Sequence, residues 1–359
     1  MKSVWGKNII ISIFGESHGE AVGATIHGLP CGFKLDLGAI QAFMDRRKPG
    51  GRLATKRKES DIPRIISGIK DGVTTGAPLT ALIMNEDMRS SDYDDMACLA
   101  RPSHADYAAF VKYGGHNDIR GGGHFSGRLT APLVFAGAVC EQMLNEKGVY
   151  IGARLKSVGK VEDDGFDCAD WDKDTLLSLR QKDFPTISEE KAELMKEEIQ
   201  KAAADGDSIG GVVECVVIGL KAGVGEPMFE GVENRLASII FGIPAVKGIE
   251  FGGGFSSARM KGSEHNDELY AENGEIKTYA NNDGGITGGI TNGMPVIFRA
   301  AIKPTPSIAK PQRTVDLRTG KNTVLRVKGR HDPCVALRAV PCIEAAACAA
   351  VFDMLNERR

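Results

Sequence analysis

Asn8-Ile9-Ile10-Ile11-Ser12-Ile13-Phe14-Gly15-Glu16-Ser17-His18-Gly19-Glu20-Ala21-Val22-Gly23-Ala24-Thr25-Ile26 reads as two apolar strands, Asn8 to Phe14 and Ala21 to Ile26, joined by a short polar turn. No helix separates them, and Gly28-Leu29-Pro30 closes the pair. A helix is predicted over 36–48. Asp36 caps it, Leu37, Ile40, Phe43 and Met44 make one face, and Pro49 stops it. Arg46, Arg47 and Lys48 fall in its last turn, where the helix dipole favours cations. A second helix is expected to start at Ser103, with His104 in its first turn, and to run to Tyr113 before Gly114. Others follow Gly127 through Leu133 to Leu144, and span 188–204 behind a Ser188 cap. A closing helix opens at Pro341 and runs to about Asn356. Gly211 to Leu220 is a valine-rich strand. The order lacks the regular βαβ beat of a doubly wound sheet, so the fold class is α+β. The chain reads as one domain over 1–359, with the acidic, irregular stretch 160–188 as a surface excursion.

Working outward, a net charge of −2 argues against a protein built to coat nucleic acid. No signal-peptide layout or membrane-length apolar run occurs. The eight cysteines show no CxxC spacing and no zinc-ligand pattern with histidine, so they are expected as reduced thiols in a cytoplasmic protein. The 44 glycines cluster at 121–123, 210–211, 252–254 and 284–289, several beside basic or hydroxyl residues. That favours a ligand site lined by backbone. Two echoes suggest internal pseudo-symmetry. Gly121-Gly122-Gly123-His124-Phe125-Ser126-Gly127-Arg128 parallels Gly252-Gly253-Gly254-Phe255-Ser256-Ser257-Ala258-Arg259, and Met-Leu-Asn-Glu recurs at 143–146 and 354–357.

The nucleotide signatures GxxxxGK[ST] and GxGxxG are missing, as is HExxH. Four segments instead carry chemistry. Gly15-Glu16-Ser17-His18-Gly19 puts a histidine on a turn after a strand. Arg101-Pro102-Ser103-His104-Ala105-Asp106 opens a helix whose N–H groups suit an anion. Asp45-Arg46-Arg47-Lys48-Pro49-Gly50-Gly51-Arg52, continuing to Lys58, lacks the interleaved aromatics of a base-stacking surface and suits a phosphate and carboxylate clamp. Lys303-Pro304-Thr305-Pro306-Ser307 and Lys328-Gly329-Arg330-His331-Asp332-Pro333-Cys334 bring basic, imidazole and carboxylate groups close in sequence. Taken separately, each of these also reads as an ordinary cap, turn or solvated face.

Together and in this order they resemble the chorismate synthase family. Arg120-Gly121-Gly122-Gly123, Gly206-Asp207-Ser208-Ile209-Gly210 and Ala245-Val246-Lys247-Gly248 extend the match along nearly the whole chain. The resemblance implies a β-α-β sandwich of antiparallel sheets with helices, and a lyase that converts 5-enolpyruvylshikimate 3-phosphate to chorismate and phosphate by anti-1,4-elimination. It implies reduced FMN without net redox change, NADPH as reductant directly or through a separate flavin reductase, and a homotetramer. By position, His18 would protonate the flavin assembly and His104 the leaving phosphate, while Asp332 would accept the substrate proton through the flavin. Arg47, Arg52, Arg101, Arg128 and Arg330 would clamp substrate, and Arg47 and Arg52 also match NADP-associated positions. Flavin contacts would fall to His124, Phe125, Ser126, Pro244, Ala245, Gly288, Lys303, Pro304, Thr305, Pro306, Ser307 and Arg330. This chain departs from the family where His124-Phe125 replaces Arg-Ser and Pro244 replaces asparagine, so flavin contacts are expected to differ there. Two other readings stay in view: a flavin oxidoreductase with net hydride transfer, and a nucleic-acid module using 46–58.

Overall fold

The opening pair of runs becomes the middle of an antiparallel sheet. The computed structural model describes residues 3–48, 60–86, 98–165, 171–327 and 332–356. The first sheet has the order Val4–Trp5, Ile10–Gly15, Ala21–His27, Leu79–Met84, Arg64–Ser67. Its register pairs Ile11 with Ile26 and Val22 with Ile83. Alternation then sorts the side chains, with Ile9 and Ile11 buried and Ile10 exposed. The second five-stranded sheet runs Val246–Phe251, Val296–Ile302, Gly211–Ile218, Tyr150–Val158, Val161–Glu162, again antiparallel.

Between the sheets lie two alanine-rich helices, Thr130–Asn145 and Ala336–Leu355, apolar on nearly every face and buried along almost their whole lengths. The first packs on the first sheet, the second on the second, and they pack on each other. At Gly137 a Cβ would stand 2.4 Å from that of Ala345, so glycine is what lets the helices approach there. One apolar cluster runs through both sheets and both helices. The architecture is thus the expected α+β sandwich, and the Met-Leu-Asn echo marks the ends of its two central helices.

Several local expectations are corrected. The helix capped by Asp36 ends at Asp45, so Arg46 is its C-cap and Arg47 lies beyond it, while Leu37 of its predicted face is exposed. Pro49 lies outside the described residues. The second helix is Asp106–Tyr113, not a helix from Ser103. Ser103 has φ +59°, a left-handed conformation that cannot continue into a helix. The closing helix starts at Ala336, and Pro341 sits inside it, in the second turn. Stretch 160–188 is more than an excursion. Helix Lys173–Arg180 lays Leu176 and Leu179 with Trp171 against Val216 and Ile297, covering the outer face of the second sheet. The seven described cysteines are free, and burial pushes the thiols of Cys140, Cys215, Cys342 and Cys348 upward, as for small apolar side chains.

Candidate active site

Both central helices begin at one cavity of about 540 Å³. Gly127, Arg128 and Thr130 reach it from the start of one, and Val335, Arg338 and Ala339 from the start of the other. Two helix N-termini therefore direct their partial positive charge into the same space. Within the 101–106 segment the Asp106 carboxylate accepts from Arg101 Nε (2.7 Å), Arg101 Nη2 (2.8 Å) and His104 Nδ1 (2.6 Å). Burial would raise the Asp106 carboxyl, but these bonds more than offset it and hold it well below the usual carboxylate range. An ionised carboxylate only accepts, so Nδ1 of His104 carries the proton and Nε2 is left toward Gly122.

The glycine triplet makes room for both histidine rings. Gly121 and Gly122 have φ of +59° and +89°, and a Cβ on Gly121 would strike the His18 ring at 2.2 Å. A Cβ on Gly122 would crowd the His104 ring at 3.3 Å. Each of these adjacent glycines thus makes room for one imidazole. Ser17 secures the arrangement, donating from its backbone N to Gly123 O (3.2 Å) and from Oγ to Arg120 O (3.1 Å). His104 is on the cavity wall, whereas His18 stands behind Gly121 with Nδ1 3.0 Å from Ser17 Oγ.

Arg47, Arg101 and Arg128 also line the cavity. Arg47 and Arg128 are both held by Asp61, a residue no sequence pattern singled out. Arg128 is fixed further by Asn85 Oδ1 (2.8 Å) and Met84 O (3.0 Å). Asn85 in turn donates to Glu16 O and Gly19 O, so one asparagine ties the 15–19 turn to the arginine. Arg338, likewise unanticipated, donates from Nη1 to Asp332 Oδ2 (2.6 Å) and from Nε to Arg47 O (3.2 Å). Arg52 and Arg330 lie outside the described residues.

Of the predicted flavin contacts, His124, Phe125, Ser126, Pro244, Ala245, Lys303, Thr305, Pro306 and Ser307 line the cavity. Pro304 belongs to the same loop but not to its lining, and Gly288 sits away from it, in the turn between strands Ile286–Thr287 and Ile290–Thr291. Both ring nitrogens of His124 are engaged within the chain, Nδ1 with Gly15 O (2.7 Å) and Nε2 with Ser3 Oγ (2.6 Å). That residue therefore anchors the triplet to the first sheet. The 206–210 motif supports the Lys303 loop from behind, with Ser208 Oγ donating to Thr305 O at 2.7 Å. Lys303 N donates to Ala245 O (2.9 Å), and its ammonium reaches Ser103 O, linking the loop to the left-handed residue before His104.

The fold and cavity define a class, an α+β sandwich enzyme with a cationic cleft where its central helices begin. The sequence model of the family described as chorismate synthase matches residues 9–355. A chorismate synthase of Thermococcus gammatolerans is 46% identical over 99% of this chain and 98% of its own length. One of Korarchaeum cryptofilum is 45% identical over 95% of this chain and 94% of its own. A crystal structure of a chorismate synthase matches with a TM-score of 0.76 and 28% identity, covering 98% of this chain and 92% of that one. The chain belongs to the chorismate synthase family.

Proposed function

We propose that this chain converts 5-enolpyruvylshikimate 3-phosphate to chorismate and phosphate by anti-1,4-elimination, as a lyase dependent on reduced FMN. The observation that carries the reading is the cavity, where Arg47, Arg101, Arg128, Lys247 and Lys303 surround a space also bordered by His104 and Asp332. A substrate with one phosphate and two carboxylates needs such a cationic wall. The residues also fit a flavin mononucleotide. Lys303, Thr305, Ser307 and Ser126 offer donors, Phe125, Ile243 and Pro244 offer an apolar surface, and the volume lies in the range of about 300–1,000 Å³ usual for small ligands. When bound, reduced FMN would supply transient electron density for departure of the phosphate, so that the C–H bond need not be broken by simple base removal of a hydrogen that is not acidic.

The chain's own residues do the rest. Arginines hold phosphate and carboxylates by paired, charge-assisted bonds. Protonated on both ring nitrogens, with Nδ1–H held by Asp106, His104 presents Nε2–H as the proton donor to the departing phosphate. His18, seated against Gly121, serves protonation of the cofactor side, and Asp332, oriented by Arg338, is the carboxylate for the substrate proton. Arg47 is only 2% exposed and held by Asp61, which supports a place in the clamp over a contact with NADP. On this reading NADPH or a separate reductase keeps the flavin reduced, the assembly is a homotetramer, and the enzyme works in the cytoplasm. Among the described residues no helix is long and apolar enough to cross a membrane.

Anaerobic incubation with 5-enolpyruvylshikimate 3-phosphate and chemically reduced FMN tests this. Equal amounts of chorismate and phosphate are expected, and formation of neither would overturn it. Stoichiometric NADPH oxidation with product would favour an oxidoreductase instead.

A further inference from the structure

The clamp has a member behind the cavity wall. Asp61 lies just ahead of strand Arg64–Ser67, its side chain has no exposed surface, and it does not line the cavity. Its two oxygens are divided between two elements. Oδ2 takes Arg47 Nη2, from the residue after the first helix's C-cap, and Oδ1 takes Arg128 Nη1, from the turn that opens a central helix. Burial would raise its carboxyl, but the charges of Arg47 and Arg128 override this and hold it down. Two guanidiniums side by side repel, and an ionised carboxylate shared between them removes the repulsion while fixing their separation.

We infer that Asp61 is a positioning residue for the anion subsite: it sets the spacing of Arg47 and Arg128 and cancels one of their two charges, which limits how tightly the cavity holds phosphate. The inference rests on the reading that a phosphorylated substrate binds here and phosphate departs. An uncancelled pair would bind the anion more strongly and release it more slowly, while losing the geometry that aligns substrate.

The test is titration of inorganic phosphate into the full chain by calorimetry, beside steady-state turnover, for wild type, Asp61→Asn and Asp61→Glu. In Asp61→Asn the phosphate Kd is expected to tighten about tenfold, as for one unit charge a few ångströms away in a partly screened site. Its kcat should fall while KM stays level or drops. A merely structural residue would lower the folded fraction and leave phosphate Kd unchanged, and that result overturns the inference. Asp61→Glu keeps the charge and displaces it by one methylene. It should keep phosphate affinity within about twofold, since the charge near the subsite is the same, yet lose kcat. If Asp61→Asn does not fold, Asp61→Glu decides alone, and wild-type kcat in that variant overturns the proposal. Wild type that releases no phosphate from the substrate would refute the functional reading instead, while the titrations would still decide the role of Asp61.

Discussion

Arg46 and Arg47 are neighbours in sequence and belong to different parts of the molecule. Arg46 turns inward and donates from both Nη atoms to Glu344, at 2.8 and 2.9 Å. Arg180 joins Glu344 at 2.7 Å and also pairs with Glu141. Two arginines and two glutamates thus close on themselves between the helices and the second sheet, and none of the four lines the cavity. Arg47 turns the other way, to Asp61. Among the described residues around the cavity, Arg47, Arg101, Arg128 and Arg338, with Lys247 and Lys303, outnumber Asp61, Asp106 and Asp332. The first cluster is neutral and sealed, and the second carries surplus positive charge facing open space. Balance, more than residue type, separates ion pairs that hold a fold from ion pairs that await a ligand.

The strongest way to break this comparison is to open the sealed cluster. Glu344→Ala would leave the partly buried Arg46 and Arg180 with Glu141 as their remaining carboxylate in the cluster. Removing one partner of a buried pair costs about 3–5 kcal/mol. Urea unfolding should show that loss, with turnover per folded molecule largely kept. A loss below about 1 kcal/mol, the worth of an exposed pair, would make the cluster no more structural than a surface bridge.

His104→Ala should do the reverse. Turnover is expected to fall about 10²–10⁴-fold, the usual worth of a general acid, while FMN affinity and the urea midpoint change little. Rapid-quench measurement of phosphate release separates the cases. Unchanged release would remove His104 from the reaction.

Much of this was legible beforehand, and the failures have definite causes. The strand pair at 8–26 and the Ser188-capped helix are written in short apolar runs and capping, which are local. His18, His104 and the glycine triplet could be picked from sequence because turns after strands and left-handed glycines leave marks there. Asp61 could not, since its partners are 14 and 67 residues away and a lone aspartate carries no pattern. Arg338 reads as an ordinary helical arginine until Asp332 is seen beside it. The helix expected at Ser103 failed because a left-handed residue, whose carbonyl is tied to distant Lys303, interrupts it. Long-range pairing makes the site, and periodicity does not record it.

Asp106→Asn sharpens the contrast through pH. Hydrogen bonds to charged groups are worth about 1.5–3 kcal/mol, so turnover should fall roughly tenfold or more as His104 loses its orientation. The carboxyls of Asp61 and Asp106 are both held below their ordinary value of 3.8. Groups lowered by folding stabilise above that value, and their contribution is lost as pH falls through the folded pKa. In the sealed cluster the shifts oppose each other. Burial would raise Glu344, but Arg180 and Arg46 keep it low, whereas burial leaves Glu141 raised. Acid sensitivity should therefore come mainly from the cavity. Melting curves at neutral pH and below pH 3.8 should converge more for Asp106→Asn than for Glu141→Gln. Equal convergence would place both clusters on the same footing.

The smallest effect concerns backbone at the cavity rim. Ala245 has φ +74°, where a Cβ is disfavoured, and its carbonyl accepts from Lys303 N at 2.9 Å. A left-handed non-glycine residue costs roughly 1–2 kcal/mol, and glycine's extra freedom in the unfolded chain returns about 0.5–1 kcal/mol of that. Ala245→Gly should accordingly stabilise by about 1 kcal/mol or less, seen as a rise of about 2 °C in Tm. No such gain is expected in the sealed cluster, where Arg46, Glu141, Arg180 and Glu344 all have ordinary negative φ. If strain at the rim helps hold Lys303 against Ser103, the same variant should also lose some turnover. A stability gain with full turnover would show that the strained residue is tolerated by the fold without being used by the site.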